Sequence, residues 1–157
     1  MIKVLFVCLG NICRSPMAEF VLKHIVAEKG LSAEFEIDSA ATESYNEMCH
    51  AGIHHRTRQM LQAMHIPFSE HFSRRIRPHD YEHFDYILAM DESNIEDIQA
   101  ITGLDTEHKI CRLLDFTANP RNIKDPWYTG NFDATWQDVQ RGCRAMMKQM
   151  EKELTKA

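Results

Sequence analysis

Cys8 and Arg14 stand six positions apart in the stretch Cys8-Leu9-Gly10-Asn11-Ile12-Cys13-Arg14-Ser15-Pro16. A thiol followed at that distance by a guanidinium, with a glycine between them and Ser-Pro behind, points to nucleophilic chemistry on a phosphoryl group. The guanidinium is a planar fork that holds two oxygens at once and matches charge spread over equatorial oxygens during transfer. A lysine does this less well. Where the segment Leu9 to Arg14 leads into a helix, unpaired N–H groups and the helix dipole favour an anion. The same field favours the thiolate of Cys8 over the thiol, whose ordinary pKa is about 8.5. Gly10 and Asn11 allow the left-handed backbone angles that turn successive amides inward. Taken alone, Cys8 also reads as one more buried small hydrophobe. Its company of Arg14, a glycine-containing loop and Ser15-Pro16 is what carries the chemical reading.

A leaving group also needs a proton donor. Lys124-Asp125-Pro126-Trp127-Tyr128 offers Asp125, stiffened by the following proline, and two aromatics able to wall a cleft. An ordinary Asp-Pro turn accounts for the same residues, and from the residues alone both readings stand.

These groups need a scaffold. The apolar run Ile2 to Val7 reads as a buried strand that delivers Cys8 into the loop. Ser15 is placed to cap a helix with Pro16 at its first position, and Ala18, Val21, Leu22, Ile25 and Val26 recur at helical spacing up to Gly30. Phe35 to Asp38 is a second strand, Arg58 to Met64 a helix, and Phe84 to Met90 a third strand. Asp91 then caps a helix that runs through Ile95, Ile98 and Ile101 to Gly103. Lys109 to Leu114 is a fourth strand. Phe132, Trp136, Val139, Cys143, Met146, Met147, Met150 and Leu154 form the core stripe of a last helix. The segment Thr117 to Asn131, with Pro120, Pro126 and Gly130, reads as a long loop. Strands alternating with helices predict an α/β fold: one domain over residues 1–157, an open parallel four-stranded sheet of flavodoxin-like type with helices on both faces, and a phosphate-binding loop after the first strand.

Composition bounds the rest. A chain of 157 residues with 44% apolar content builds one core. The net charge of −5 gives no footprint for nucleic acid. The N-terminal apolar run is too short for a signal peptide, and no stretch approaches the ~20 residues that span a bilayer. Five scattered cysteines are expected to be mostly reduced, which points to the cytoplasm. No nucleic-acid or membrane partner is expected, and the chain is expected to be a monomer or a weak oligomer.

The stretch from Cys8 to Pro16, then Asp38-Ser39-Ala40-Ala41-Thr42, then Phe84-Asp85-Tyr86-Ile87-Leu88-Ala89-Met90-Asp91-Glu92-Ser93-Asn94, and finally Asp125-Pro126-Trp127-Tyr128 with Gly130, resembles in order the low-molecular-weight protein tyrosine phosphatases. The resemblance implies that Cys8 attacks phosphorus in line. Arg14 and the amides of Leu9, Gly10, Asn11, Ile12, Cys13 and Ser15 would bind the phosphoryl oxygens, and Asp125 would protonate the departing phenol, then serve as base. It implies further that Ser15 hydrogen-bonds the thiolate, and that Asn11 and Ser39 brace the loop. Leu9, Tyr45 and Tyr128 would enclose the substrate ring beside Trp127, in a cleft too deep for phosphoserine. Neither metal nor other cofactor is called for, the substrates being phosphotyrosine proteins or small aryl phosphates. Oxidation would pair Cys8 with Cys13.

The likeness weakens in places. Between Asn46 and Arg58 the usual proline and acid after the glycine are replaced by Ile53-His54-His55-Arg56. Met64-His65-Ile66-Pro67 lacks the usual leading histidine, so a bracing histidine is expected to be missing or displaced. Trp127 replaces a tyrosine, which removes a phosphorylation position. Among nine histidines, His50 with His54 and His79 with His83 have the spacing of two metal ligands on one helix face, but no third ligand is evident. Two rival functions remain: an arsenate reductase, which would need relay cysteines absent from Met90 to Gly103, and a phosphotyrosine-binding or phosphocarrier module, which would not need Asp125.

Overall fold

The computed structural model describes residues 1–156. Four strands, β1 (Ile2–Cys8), β2 (Phe35–Ala41), β3 (Tyr86–Ala89) and β4 (Ile110–Arg112), form one parallel sheet in the order β2-β1-β3-β4. The helices are α1 (Arg14–Glu28), α2 (Tyr45–Met48), α3 (His55–Ala63), α4 (Pro78–His83), α5 (Glu92–Thr102), α6 (Pro126–Thr129) and α7 (Phe132–Lys156). Short 3₁₀ turns lie at Ser32–Glu34 and Leu113–Phe116. No helix among the described residues is long and apolar enough to cross a membrane.

Side chains alternate across a strand, and β1 uses both faces. Val4, Phe6 and Cys8 join the larger core with α1 and α7, while Leu5 and Val7 pack with Ile76, Tyr81, Phe84 and Ile98 on the other side. Helix α7 buries Trp136, Val139, Cys143, Met146, Met147 and Met150 in the larger core. At ~1.5–3 kcal/mol for each large apolar side chain fully buried, this stripe is a principal source of stability. Its approach is close: a Cβ on Gly142 would lie 2.5 Å from Leu113 Cγ.

The chain runs from β1 outward to β2, then returns across β1 to lay down β3 and β4. The strand order therefore reverses between β1 and β3, and at such a point the loops at the carboxyl ends diverge and leave a crevice. Cys8 ends β1, and Asp91 follows β3 at the same edge.

Several boundaries differ from the sequence reading. Strand β2 continues to Ala41, because Ser39, Ala40 and Ala41 are small enough to stay buried against β1. Strands β3 and β4 are shorter than predicted, and β4 gives way to the 3₁₀ turn that seats Leu113 and Leu114 in the core. Helix α3 starts at His55 rather than Arg58. The long loop contains the one-turn helix α6, and α2 and α4 are too short to show a periodicity. Ser15 is not a helix cap. The cap position of α1 is Cys13, without a side-chain hydrogen bond, and Pro16 at the third position has no N–H to offer. Asp91 does cap α5: its Oδ1 accepts from Asn94 N at 2.9 Å, and Asn94 Oδ1 accepts from Asp91 N at 3.1 Å.

Candidate active site

Between β1 and α1 the backbone is held by its carbonyls. Gly10 O accepts from Asn46 Nδ2 at 2.9 Å and Ser73 Oγ at 3.0 Å, Ile12 O from His54 N at 2.9 Å, and Cys13 O from Thr57 Oγ1 at 3.4 Å. These partners lie outside the loop, so the carbonyls face away from its centre. The amides of Gly10, Ile12 and Cys13 donate to no protein acceptor among the described residues. With the unbonded first-turn amides of α1, they are free to donate to an anion beside Cys8. One donor already reaches the sulfur: Asn11 N lies 3.3 Å from Cys8 Sγ.

The left-handed residue in this turn is Asn11, with φ 56°. Gly10, though free to share that role, does not have a positive φ. Its lack of a side chain serves instead a close approach, since a Cβ there would stand 2.7 Å from Asn46 Nδ2. The strained Asn11 backbone is fixed by its buried side chain. Asn11 Nδ2 donates to Ser15 Oγ at 2.8 Å and to Ser39 Oγ at 3.0 Å, and Oδ1 accepts from Arg74 N at 3.2 Å. Ser39 passes its own hydrogen to Glu19 Oε1 at 2.6 Å. Ser15 Oγ, having accepted from Asn11, has its hydrogen free for Cys8 Sγ at 3.1 Å. Asn11, Ser15 and Ser39 thus stand together beside Cys8.

The bracing histidine is not missing: one at another position, outside Met64-His65-Ile66-Pro67, joins this network. His71 Nε2 lies 3.0 Å from Asn11 Oδ1, which fixes Nε2 as the protonated nitrogen. Burial pushes the His71 imidazole below its ordinary range despite the opposing charges of Glu19 and Asp38. His65 has φ 57° and sits just past the end of α3, a turn position rather than a network position. Glu19, Asp38 and His71 bring three metal-ligand atoms within 4.8 Å of one another. These side chains are engaged by Ser39, Lys23, Arg74 and Asn11. The suggested histidine pair His50 and His54 shares no helix face, because His50 occupies a turn and His54 caps α3. His79 and His83 both lie on α4, where His83 binds Glu36.

Arg14 is 2% exposed, and a charge so buried needs partners. Its Nη1 donates to Asp91 Oδ2 at 2.6 Å and to Ile123 O at 2.9 Å, and its Nη2 lies 3.3 Å from Asp125 Oδ2. Burial works against the Arg14 charge, but the neighbouring Cys8, Asp91 and Asp125 outweigh it and leave the guanidinium firmly protonated. Burial likewise raises Asp91, yet hydrogen bonds from Arg14, Ser93 and Asn94 prevail and hold its carboxyl below the usual range. Asp125 uses its two carboxylate oxygens differently. Its Oδ1 caps α6 by accepting from Trp127 N at 3.0 Å, as an Asp-Pro turn would, while Oδ2 faces Arg14.

Cys8, Leu9, Gly10, Asn11, Ile12, Cys13, Arg14, Tyr45, Asp125, Trp127 and Tyr128 all line one cavity of about 450 Å³, with Glu43 and Asn46. Its floor is the loop and its rim is apolar: Tyr45, Trp127 and Tyr128 are 69%, 61% and 77% exposed. The Cys13 thiol, buried and close to Cys8, is pushed up to about 12 by desolvation first and by the Cys8 and Asp125 charges next. Sequence reasoning missed two contributors. Asp91 was legible only as a helix cap, since nothing in its spacing reveals that its second oxygen holds Arg14. His71 has no motif around it and reaches Asn11 from sixty positions away.

A family model described as low molecular weight phosphotyrosine protein phosphatase matches residues 3–156. The low molecular weight protein-tyrosine-phosphatase YfkJ of Bacillus subtilis is 39% identical, covering 98% of each chain. Its crystal structure superposes with a TM-score of 0.91 over 98% of this chain and 96% of that one. The human low molecular weight phosphotyrosine protein phosphatase is 38% identical over 92% of this chain and 93% of its own. A protein tyrosine phosphatase from Entamoeba histolytica, solved with Hepes in its active site, gives a TM-score of 0.88 at 31% identity, over 98% and 99% of the two chains.

Proposed function

This chain belongs to the low molecular weight phosphotyrosine protein phosphatase family and is a protein-tyrosine phosphatase, and we propose that Cys8, Arg14 and Asp125 divide its reaction as follows. The Cys8 thiolate attacks the phosphorus of an aryl phosphate in line with the phenolic oxygen. A sulfur–phosphorus bond forms as the phosphorus–oxygen bond breaks, and Asp125 gives its proton to the departing phenolate. Arg14 and the loop amides from Leu9 to Ser15 hold the three equatorial oxygens throughout. In the second half, Asp125 takes a proton from water as that water attacks phosphorus, the sulfur–phosphorus bond breaks, and inorganic phosphate leaves with the thiolate restored. The Ser15 hydroxyl stabilises that thiolate as leaving group. No step calls on a metal.

The observation that carries this reading is the meeting of Cys8, Arg14 and Asp125 in one cavity, with Arg14 Nη2 3.3 Å from Asp125 Oδ2. The acid also favours turnover over the carrier reading, because a phosphate holder has no use for a proton donor. Leu9, Tyr45, Trp127 and Tyr128 would take the phenyl ring, so that phosphotyrosine proteins and small aryl phosphates are substrates and phosphoserine falls short of the floor. The odd, scattered cysteines favour a cytoplasmic setting, where peroxide would oxidise Cys8 to a sulfenic acid that Cys13 converts to a disulfide with release of water. Hydrolysis of p-nitrophenyl phosphate with chelator present is the test. Cys8→Ser should abolish it, and Asp125→Asn should slow it roughly 10²- to 10⁴-fold while vanadate still binds. Turnover by the Cys8→Ser protein would refute the mechanism.

A further inference from the structure

His54 touches both halves of the active site. Its backbone N–H donates to Ile12 O, one of the three carbonyl anchors of the phosphate loop. Its Nδ1 accepts from Arg56 N at 3.1 Å and so caps α3. The ring lies in a sandwich, stacked on His55 at 4.5 Å and 24° and on Phe132 at 5.2 Å and 24°. Its edge-to-face partner, at 5.7 Å and 85°, is Trp127. Trp127 N in turn donates to Asp125 Oδ1 at 3.0 Å.

We propose that His54 is a positioning residue for the proton donor: its ring is the wedge on which Trp127 rests, and through Trp127 it sets where Asp125 stands relative to the loop that holds phosphate. The proposal rests on Asp125 being the acid. Two features fit the wedge. Trp127 is largely exposed, so little else fixes an indole at the second position of a one-turn helix. The ring is also itself held from three directions, by the cap to Arg56 N, by the stack on Phe132 at the start of α7, and by its own backbone on the loop. The cap requires an unprotonated Nδ1. Burial, followed by the charges of His55 and Arg56, pushes His54 below the ordinary imidazole range and keeps that nitrogen available at neutral pH.

The ring and the cap can be separated by substitution. Asn is as good a helix cap as any residue but has no ring, whereas Phe keeps a ring and has no acceptor. The discriminating measurement is kcat/KM across aryl phosphates of different leaving-group acidity, because a displaced acid matters for a poor leaving group and little for a good one. For His54→Asn, kcat/KM for phenyl phosphate should fall about tenfold and that for 2,4-dinitrophenyl phosphate less than twofold, at an unchanged melting temperature. His54→Phe should restore the phenyl phosphate value to within about threefold of wild type despite a lower melting temperature. Equal losses on both substrates in His54→Asn, or a His54→Phe series as steep as that of His54→Asn, would overturn the wedge. Asp125→Asn, run in parallel, separates the two layers of argument. A steep series there beside a flat one in His54→Asn removes only the role of His54. A flat series in Asp125→Asn removes the assignment of the acid, and the wedge with it.

Discussion

Asp91→Asn is the substitution that most directly tests how Arg14 is held. The amide retains Oδ1, so the cap of α5 survives at nearly full strength. What disappears is the carboxylate at 2.6 Å from Arg14 Nη1. A hydrogen bond to a charged group is worth ~1.5–3 kcal/mol, and at about 1.4 kcal/mol per factor of ten this predicts a fall in kcat/KM of roughly 10- to 150-fold. Arg14 keeps Ile123 O and Asp125, so the loss should fall at the lower end of that range for vanadate binding. It should be larger for turnover, because an arginine whose one remaining carboxylate partner is Asp125 also ties down the proposed acid. Stability should drop by about 2–3 kcal/mol, below the ~3–5 kcal/mol seen when a fully buried pair is broken, because Asp91 is partly exposed and Asp125 remains. The pH dependence has a definite sign. A carboxyl held below its unfolded value stabilises the fold above about pH 4, and that contribution is lost as pH falls through the depressed folded value. The wild type should therefore lose urea resistance on acidification below pH 4 more steeply than Asp91→Asn. A variant with kcat/KM and vanadate affinity within twofold of wild type, and an unchanged acid profile, would refute the claim that Asp91 holds Arg14.

Two further outcomes are expected. Limited treatment with iodoacetate at pH 7 should label Cys8 and spare Cys13, whose thiol is pushed up to about 12, with peptide mapping as the readout and vanadate as protectant. Preferential labelling of Cys13 would contradict the arrangement of the two thiols. Gly142→Ala should cost about 1–3 kcal/mol in urea unfolding through overpacking against Leu113, with kcat/KM unaffected; a neutral result would mean that α7 can move away from Leu113.

The scaffold was legible where a physical period runs long enough to see. The stripe from Phe132 to Leu154 and the run from Ile2 to Val7 carry their own directions of burial, and β1, α1, α5 and α7 lie where those patterns put them. Elements of four to six residues, such as α2, α4 and α6, are set by tertiary contacts and punctuation instead. The divide within the site is similar. Cys8, Arg14, Ser15 and Asn11 are neighbours in sequence, so their spacing is their geometry. Asp125 was legible because proline and aromatics surround it. Asp91 and His71 act across 77 and 60 positions, on Arg14 and Asn11, and local spacing holds no trace of such pairings. Ser15 does not cap because α1 begins one residue before it, at Arg14, which puts Cys13 at the cap position.

The outward-facing carbonyls of the loop have a bearing on how far this sequence can drift. Asn46, His54 and Thr57, each bonded to one of those oxygens, all fall within the stretch from Asn46 to Arg58. His54 is bonded through its backbone, which almost any residue could supply, whereas Asn46 and Thr57 must keep an amide or a hydroxyl at that spot. Change along this stretch is thus tethered at the Asn46 and Thr57 side chains by the loop, and at the His54 ring by the indole that rests on it.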